Sequence, residues 1–184
     1  MGGDHRKAGK TTLVCAILRS LPQLRWTAVK IGHRHTGARW SIEEAHERSG
    51  RTDASRFLVA GAERAFWVQA EPEELPHAAA AVLERIAGRN AIVESNSLAD
   101  YLRPDLFLMV LGGGWKEPKP SALRQFARVD AYVRWDAPGQ EWLGKPLYGA
   151  ARGGPLPGEL RARILHLAGE KETETVRRPL PSSE

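Results

Sequence analysis

A glycine-rich segment at the start of the chain carries residue types that bind phosphate. Gly3 is separated by five residues from Gly9-Lys10-Thr11, and Thr12 follows directly. Glycines in such a loop let backbone N–H groups surround phosphate oxygens, and a helix that begins there directs its positive end at them. The lysine then reaches the outer phosphates, and the hydroxyl after it binds magnesium. We therefore predict a phosphate-binding loop over residues 3–12.

The residues of this loop are the predicted nucleotide contacts. Lys10 is also a predicted catalytic residue, and Thr11 is a predicted magnesium ligand. The gap between the glycines is one residue longer than in the usual pattern, and Asp4 stands where a glycine is expected. The alternative interpretation is a glycine-rich helix start that binds no ligand. The predicted nucleotide-binding residues are Gly3, Asp4, His5, Arg6, Lys7, Ala8, Gly9, Lys10, Thr11 and Thr12.

Two acidic and two basic residues further along the chain complete the candidate site. Glu94 ends an apolar run, and ligands of α/β proteins gather at the carboxyl ends of strands. Because magnesium prefers one or two carboxylates with phosphate and water, Glu94 is predicted to bind the metal and to act in catalysis. Asp53 is either a second magnesium partner or an acid that favours a helix N-terminus. Lys30 and Lys119 are predicted nucleotide contacts, with a solvated loop as the alternative for Lys119.

Helices and strands alternate in the pattern that must position these residues. Residues 12–21, TLVCAILRSL, have one apolar helical face, and Pro22 ends this helix. Short apolar strands alternating with helices predict an α/β fold with a mostly parallel sheet covered on both faces. The predicted strands are 26–32, 64–68, 90–94, 105–111 and 131–135. The predicted helical segments are 12–21, 53–60, 75–87, 97–102, 121–129 and 158–168.

The strand that normally precedes a phosphate-binding loop is missing from this prediction. Only Met1 and Gly2 stand before Gly3. We hypothesise that the reading frame starts further upstream, with Met1 standing for an internal valine codon. Residues 1–169 are predicted to form one nucleotide-binding domain, and residues 170–184 a polar, disordered tail.

Composition limits the classes of function. The net charge is +5 and the isoelectric point about 9.7, but the basic residues are dispersed, so nucleic acid is a weak candidate partner. No apolar run reaches the roughly 18 residues of a membrane span, and no secretory signal precedes the loop. The single cysteine excludes an internal disulfide and is typical of a reducing compartment. We expect a cytoplasmic protein without membrane contact.

The order of several motifs resembles a known family. The loop is similar to that of dethiobiotin synthetase, which also has five residues between its glycines and belongs to the MinD-like branch of P-loop NTPases. Residues 30–35, KIGHRH, are followed by 50–56, GRTDASR, and by 60–62, AGA. This order resembles the molybdopterin-guanine dinucleotide biosynthesis protein B family over roughly residues 3–115. Where that family has Glu-Gly, this chain has Glu94-Ser95, which leaves an uncharacterised sister group as the alternative.

The resemblance implies a three-layer P-loop NTPase fold, magnesium, and GTP or ATP as the ligand. It also implies a role in molybdopterin cofactor assembly with an assembly protein, and a homodimer. Slow hydrolysis of the nucleotide is our own expectation for such a site. If the residues of this chain have the roles of the matching residues in that family, Lys10 and Thr11 hold phosphate and magnesium, and Asp53 and Lys30 lie near the nucleotide. Two alternatives stay open: an ATP-dependent ligase or kinase of the dethiobiotin synthetase kind, and a nucleotide-binding module without catalysis.

Overall fold

The computed structural model describes residues 1–5, 7–33, 39–112 and 117–177, so Arg6 lies outside the described part of the chain. The helices are α1 (Lys10–Ser20), α2 (Asp53–Val59), α3 (Leu75–Ile86), α4 (Pro120–Leu123) and α5 (Gly158–Arg177). Short 3-10 helices occur at Pro22–Leu24, Pro72–Glu74, Ser97–Asp100 and Phe126–Arg128. The strands are β1 (Gly2–Gly3), β2 (Thr27–His33), β3 (Trp40–Glu44), β4 (Arg64–Ala70), β5 (Ala91–Glu94), β6 (Leu108–Leu111), β7 (Ala131–Trp135), β8 (Gln140–Trp142) and β9 (Lys145–Ala150).

The strands form two mixed sheets in which most neighbours are parallel. One sheet has the order β3-β4-β2-β5, and the other has the order β1-β6-β7-β9-β8. The two antiparallel pairs, β3 with β4 and β8 with β9, lie at the outer edges. The α/β prediction with mostly parallel strands is therefore confirmed.

Helices cover both faces of the sheets. The largest buried cluster joins the apolar sides of α1, α2 and α5 to alternate strand residues such as Ala28, Ala65 and Val133. Neighbouring strand residues point the other way, so Val29 and Phe66 pack with α3 in a second cluster. Strands buried on both faces explain the near-continuous apolar runs in the sequence.

Several elements differ from the prediction. We expected the strand before the loop to be missing, but Gly2–Gly3 pairs in parallel with β6. Strand β3 and the β8–β9 hairpin were not predicted, because their exposed faces are polar. Strand β6 is shorter than predicted, and the predicted helix over 121–129 divides into α4 and a 3-10 turn. Helix α5 continues to Arg177, into the segment predicted to be disordered.

Among the described residues, none of the helices is both long enough and apolar enough to cross a membrane.

Candidate functional site

The loop at the start of α1 packs against Trp135, which lies at the end of β7. The Trp135 indole Nε1–H donates to the carbonyl oxygen of Ala8 at 3.1 Å. Gly9 has a left-handed backbone with φ 100°, and a Cβ atom there would lie 2.2 Å from the same indole nitrogen. Glycine is therefore required at this position for both its backbone angles and its close approach to the ring.

The N-terminus of α1 has the properties of an anion site. Helix α1 begins at Lys10 directly after Gly9, which has no side chain that could cap the first N–H groups. Its first turn carries no acidic residue, while its buried face from Leu13 to Leu18 fixes the helix in the core. The unpaired N–H groups and the helix dipole together favour a negatively charged ligand.

The acid predicted at the end of β5 lies beside this helix start. Glu94 is 2% exposed, and its Oε2 accepts a hydrogen bond from the Thr11 hydroxyl at 2.8 Å. Its Oε1 accepts from the Lys30 ammonium at 2.5 Å. Lys30 and Glu94 are opposite each other in the parallel pairing of β2 with β5, so the sheet register itself creates this ion pair.

Asp53 joins the cluster through Lys30. The Lys30 ammonium lies 3.1 Å from the Asp53 carboxylate, which also contacts Arg56 at 3.3 Å. Thr52 and Ser55 form a reciprocal capping box that starts α2 and holds Asp53 in its first turn. Asp53 therefore acts as an anchor for Lys30 in this arrangement.

The Lys10 side chain folds back over the loop. A Cβ atom added to Gly3 would lie 2.8 Å from the Lys10 Cγ, so the glycine leaves room for this path. Burial lowers the pKa of Lys10, and the nearby Lys30 and Lys119 ammoniums lower it further, against the raising effect of Glu94. An anion bound among these three lysines would relieve both the desolvation and the repulsion.

A polar cavity of about 170 Å³ opens at this place. Four predicted site residues line it: Lys10, Lys30, Glu94 and Lys119. Ser95, Ser97 and Ser121 also line it and carry hydroxyl groups, and Gly32, Ala70 and Leu75 add apolar or uncharged wall.

No protein-family model, curated protein or solved structure matches this chain. The resemblance described from the sequence therefore remains a prediction carried by the order of its motifs.

Asp4, which stands where a glycine is expected in the loop, has a structural role. Asp4 is buried, and both its carboxylate oxygens accept from the Gly112 N–H, at 3.0 and 3.1 Å. Its backbone carbonyl accepts from the Lys119 N–H at 2.8 Å. Asp4 thus joins the loop to the end of β6 and to the segment that carries Lys119. The imidazole of His5 packs against Gly112, where a Cβ atom would overlap it.

Asn96, two residues after Glu94, is a positioning residue for the loop. Its side-chain oxygen accepts from the Gly3 N–H at 2.8 Å, and its amide nitrogen donates to the Gly3 carbonyl at 2.9 Å. Ser95 caps the following 3-10 turn instead, because its hydroxyl accepts from the Leu98 N–H. Asn96 therefore holds the first residue of the loop in place.

The structure brings most predicted site residues together at one edge of the sheets. Lys7 is an exposed residue of the loop, Ala8 is a buried one, and Thr12 lies within the first turn of α1. Sequence reasoning did not identify Trp135 or Gly112 as supports of the loop. Both stand at or just beyond the carboxyl end of a strand, and that position is the signal that could have found them.

Proposed function

We propose that this protein binds a magnesium-bound nucleoside triphosphate, ATP or GTP, through residues 3–12 and hydrolyses it slowly. In this proposal the α/β architecture is the three-layer P-loop NTPase fold. The observation that carries the proposal is the contact between the Thr11 hydroxyl and Glu94 beside the uncapped start of α1. A hydroxyl and a carboxylate next to a helix N-terminus suit a phosphate that is accompanied by a divalent cation.

The residues present fit magnesium better than a metal held by many side chains. The described part of the chain contains no group of three or more His, Cys, Asp and Glu side chains that could hold a metal. Magnesium keeps several waters and takes phosphate oxygens, so it needs few protein ligands. Thr11 and Glu94 would supply those ligands, while the Asp53 carboxylate is paired with Lys30 and would position that lysine beside the metal ligands. Bound there, magnesium would neutralise charge on the outer phosphates.

The protein's own residues would bind and orient the phosphates. The α1 N–H groups would donate to phosphate oxygens, and the Lys10 ammonium would lie against the outermost phosphate. Lys30 would keep the Glu94 carboxylate oriented toward Thr11, because it already donates to the other carboxylate oxygen. Phosphoryl transfer requires little beyond such positioning and charge neutralisation.

A second candidate function is favoured by the shape of the cavity. Besides Lys10, the cavity is lined by Gly32, Ala70, Leu75 and Lys119. A small carboxylate or amine could lie there next to the outermost phosphate, as a ligase or kinase of the dethiobiotin synthetase kind requires. A role in molybdopterin cofactor assembly rests on the motif resemblance alone.

Calorimetric titration of ATP and GTP, with and without magnesium, tests the leading proposal. We expect Thr11→Val to lose at least about tenfold in magnesium-dependent affinity, since it removes a ligand and leaves the shape unchanged. Thr11→Ser keeps the hydroxyl and is the matched control, which should bind like the wild type. Magnesium-dependent binding that is equal in Thr11→Val and Thr11→Ser would contradict the metal role. Turnover that appears only when a small acceptor is added would favour the second candidate.

A further inference from the structure

Three lysine side chains reach the polar cavity, and they differ in their acidic partners. The Lys30 ammonium lies 2.5 Å from the Glu94 carboxylate and 3.1 Å from that of Asp53. In the part of the chain that the structure describes, no carboxylate forms an ion pair with Lys10 or Lys119. The ammonium groups of Lys10 and Lys119 are therefore the cations that the cavity offers to an anionic ligand.

The backbone of Lys119 is held on both sides. Its N–H donates to the Asp4 carbonyl at 2.8 Å, and its own carbonyl accepts from the N–H groups of Ala122 and Leu123 at 2.8 and 3.0 Å. The residue is exposed at the cavity, so a ligand can reach its side chain. A lysine with a fixed backbone and an accessible ammonium suits ligand binding, because little backbone freedom is lost when the ligand arrives.

Asp4 holds both ends of the connection between β6 and α4. Its carboxylate accepts from the Gly112 N–H at one end, and its carbonyl accepts from the Lys119 N–H at the other. Its own N–H donates to the Val110 carbonyl at 3.1 Å, and the His5 Nδ1 lies 2.7 Å from its carboxylate. A glycine, which is expected at this position of the loop, would leave the Gly112 N–H without the carboxylate.

We propose that Asp4 is a positioning residue that sets Lys119 at the cavity, where Lys119 and Lys10 together bind the outermost phosphate of the nucleotide. This inference rests on the proposed function, because the phosphate is that of the proposed nucleotide. A terminal phosphate carries roughly 1.5 to 2 negative charges at pH 7, which two ammonium groups neutralise. Asp4 acts through Lys119 and not by touching the ligand, since its buried carboxylate already accepts from Gly112.

Calorimetric titration with the magnesium complexes of ATP, ADP, GTP and GDP tests the role of Lys119. Lys119→Met removes the ammonium and keeps the length of the side chain, so it should lower the affinity for the triphosphate at least about tenfold. The affinity for the diphosphate should fall by less, because the diphosphate lacks the phosphate that Lys119 contacts. Lys145→Met, in the distant strand β9, is the matched control and should bind like the wild type.

A double-mutant cycle tests whether Asp4 acts through Lys119. Asp4→Ala should weaken triphosphate binding about as much as Lys119→Met, and the double variant should lose no more than either single variant. Asp4→Asn keeps an oxygen that can accept from the Gly112 N–H, so it should bind like the wild type. Losses that add in the double variant would overturn the proposal. Equal losses of diphosphate and triphosphate affinity in Asp4→Ala would also overturn it, because a merely disturbed loop weakens both.

Amide hydrogen exchange measures the same link without a nucleotide. Exchange at the Gly112 and Lys119 amides should be at least about tenfold faster in Asp4→Ala than in Asp4→Asn. Asp4→Ser, whose side chain is one bond shorter than that of aspartate, replaces Asp4→Ala if the latter does not fold. Equal exchange rates would overturn the positioning role even if the wild type binds nucleotide. A wild type that binds no magnesium nucleotide would instead contradict the proposed function and the phosphate contact of Lys119, while faster exchange in Asp4→Ala would still support the positioning role.

Discussion

Replacing Gly9 by alanine places a methyl group against Trp135. In the native loop Gly9 has φ 100°, and the added Cβ atom would lie 2.2 Å from the indole Nε1 and 3.0 Å from Cδ1. Neither the backbone angle nor the contact distance suits a residue with a side chain. The Trp135 ring must therefore move, and the hydrogen bond from its Nε1–H to the Ala8 carbonyl is lost with it.

Two separate costs follow from this geometry. An L-residue in the left-handed region costs about 1–2 kcal/mol. Loss of the indole hydrogen bond adds about 0.5–1.5 kcal/mol, so Gly9→Ala should lower the free energy of unfolding by about 1.5–3.5 kcal/mol in total. Gly61→Ala is a matched control, because Gly61 has φ 109° and its nearest neighbour to an added Cβ is 3.7 Å away. That control should lose only the conformational part, about 1–2 kcal/mol.

Urea unfolding of a double-mutant cycle separates the two costs. In a Trp135→Phe background the nitrogen nearest to the methyl group is absent, so Gly9→Ala should cost about 1 kcal/mol less than in the wild type. Gly61→Ala should cost the same in both backgrounds. If the effect of Gly9→Ala is equal with Trp and with Phe at position 135, the ring does not support the loop, and the reasoning fails.

Three further predictions concern the site and its supports. Glu94→Gln should lower the free energy of unfolding by about 3 kcal/mol, because it removes one partner of a buried ion pair. Asp53 is more exposed than Glu94, so Asp53→Asn should lower it by less than about 1 kcal/mol. Equal losses in urea unfolding would contradict this ranking. The Met1 amine binds its proton only below about pH 5 when folded and below 8.0 when unfolded. The titration of this one amine therefore lowers the free energy of unfolding as the pH falls from 8 toward 5, by up to about 4 kcal/mol. A chain acetylated at Met1 should lack this part, and identical pH profiles would refute it. Asn96→Ala should cost about 1–3 kcal/mol in chemical unfolding and weaken nucleotide binding, because both backbone groups of Gly3 lose their partner; unchanged stability would argue against that role.

The sequence predicts those parts of the fold that have a local signal. Gly9-Lys10-Thr11 followed by an amphipathic run is sufficient to predict the loop and α1. The apolar runs around Val29, Phe66 and Val133 predict buried parallel strands, because strands covered on both faces need apolar residues throughout. Glu94 was expected at the candidate site because it ends such a strand.

The remaining features depend on contacts between residues distant in the chain. Strand β3 is short, with several charged or polar residues, and it is a strand because it pairs with β4 at a sheet edge. The role of Asp4 depends on the Gly112 amide, and that of Asn96 on the backbone of Gly3. No periodicity or motif records such long-range pairs. The contact of Asp53 with Lys30 likewise joins a residue of α2 to a residue of β2, and no motif records it.

The affinity of the Lys10→Ala variant for magnesium nucleotides tests the central claim most directly. Arg19→Ala is its matched control, because it removes one positive charge from the exposed end of the same helix. We expect the wild type and Arg19→Ala to bind ATP or GTP in a magnesium-dependent manner, and Lys10→Ala to lose at least about a hundredfold in affinity. Equal binding by Lys10→Ala and Arg19→Ala, or no magnesium-dependent binding by a folded wild type, would contradict it.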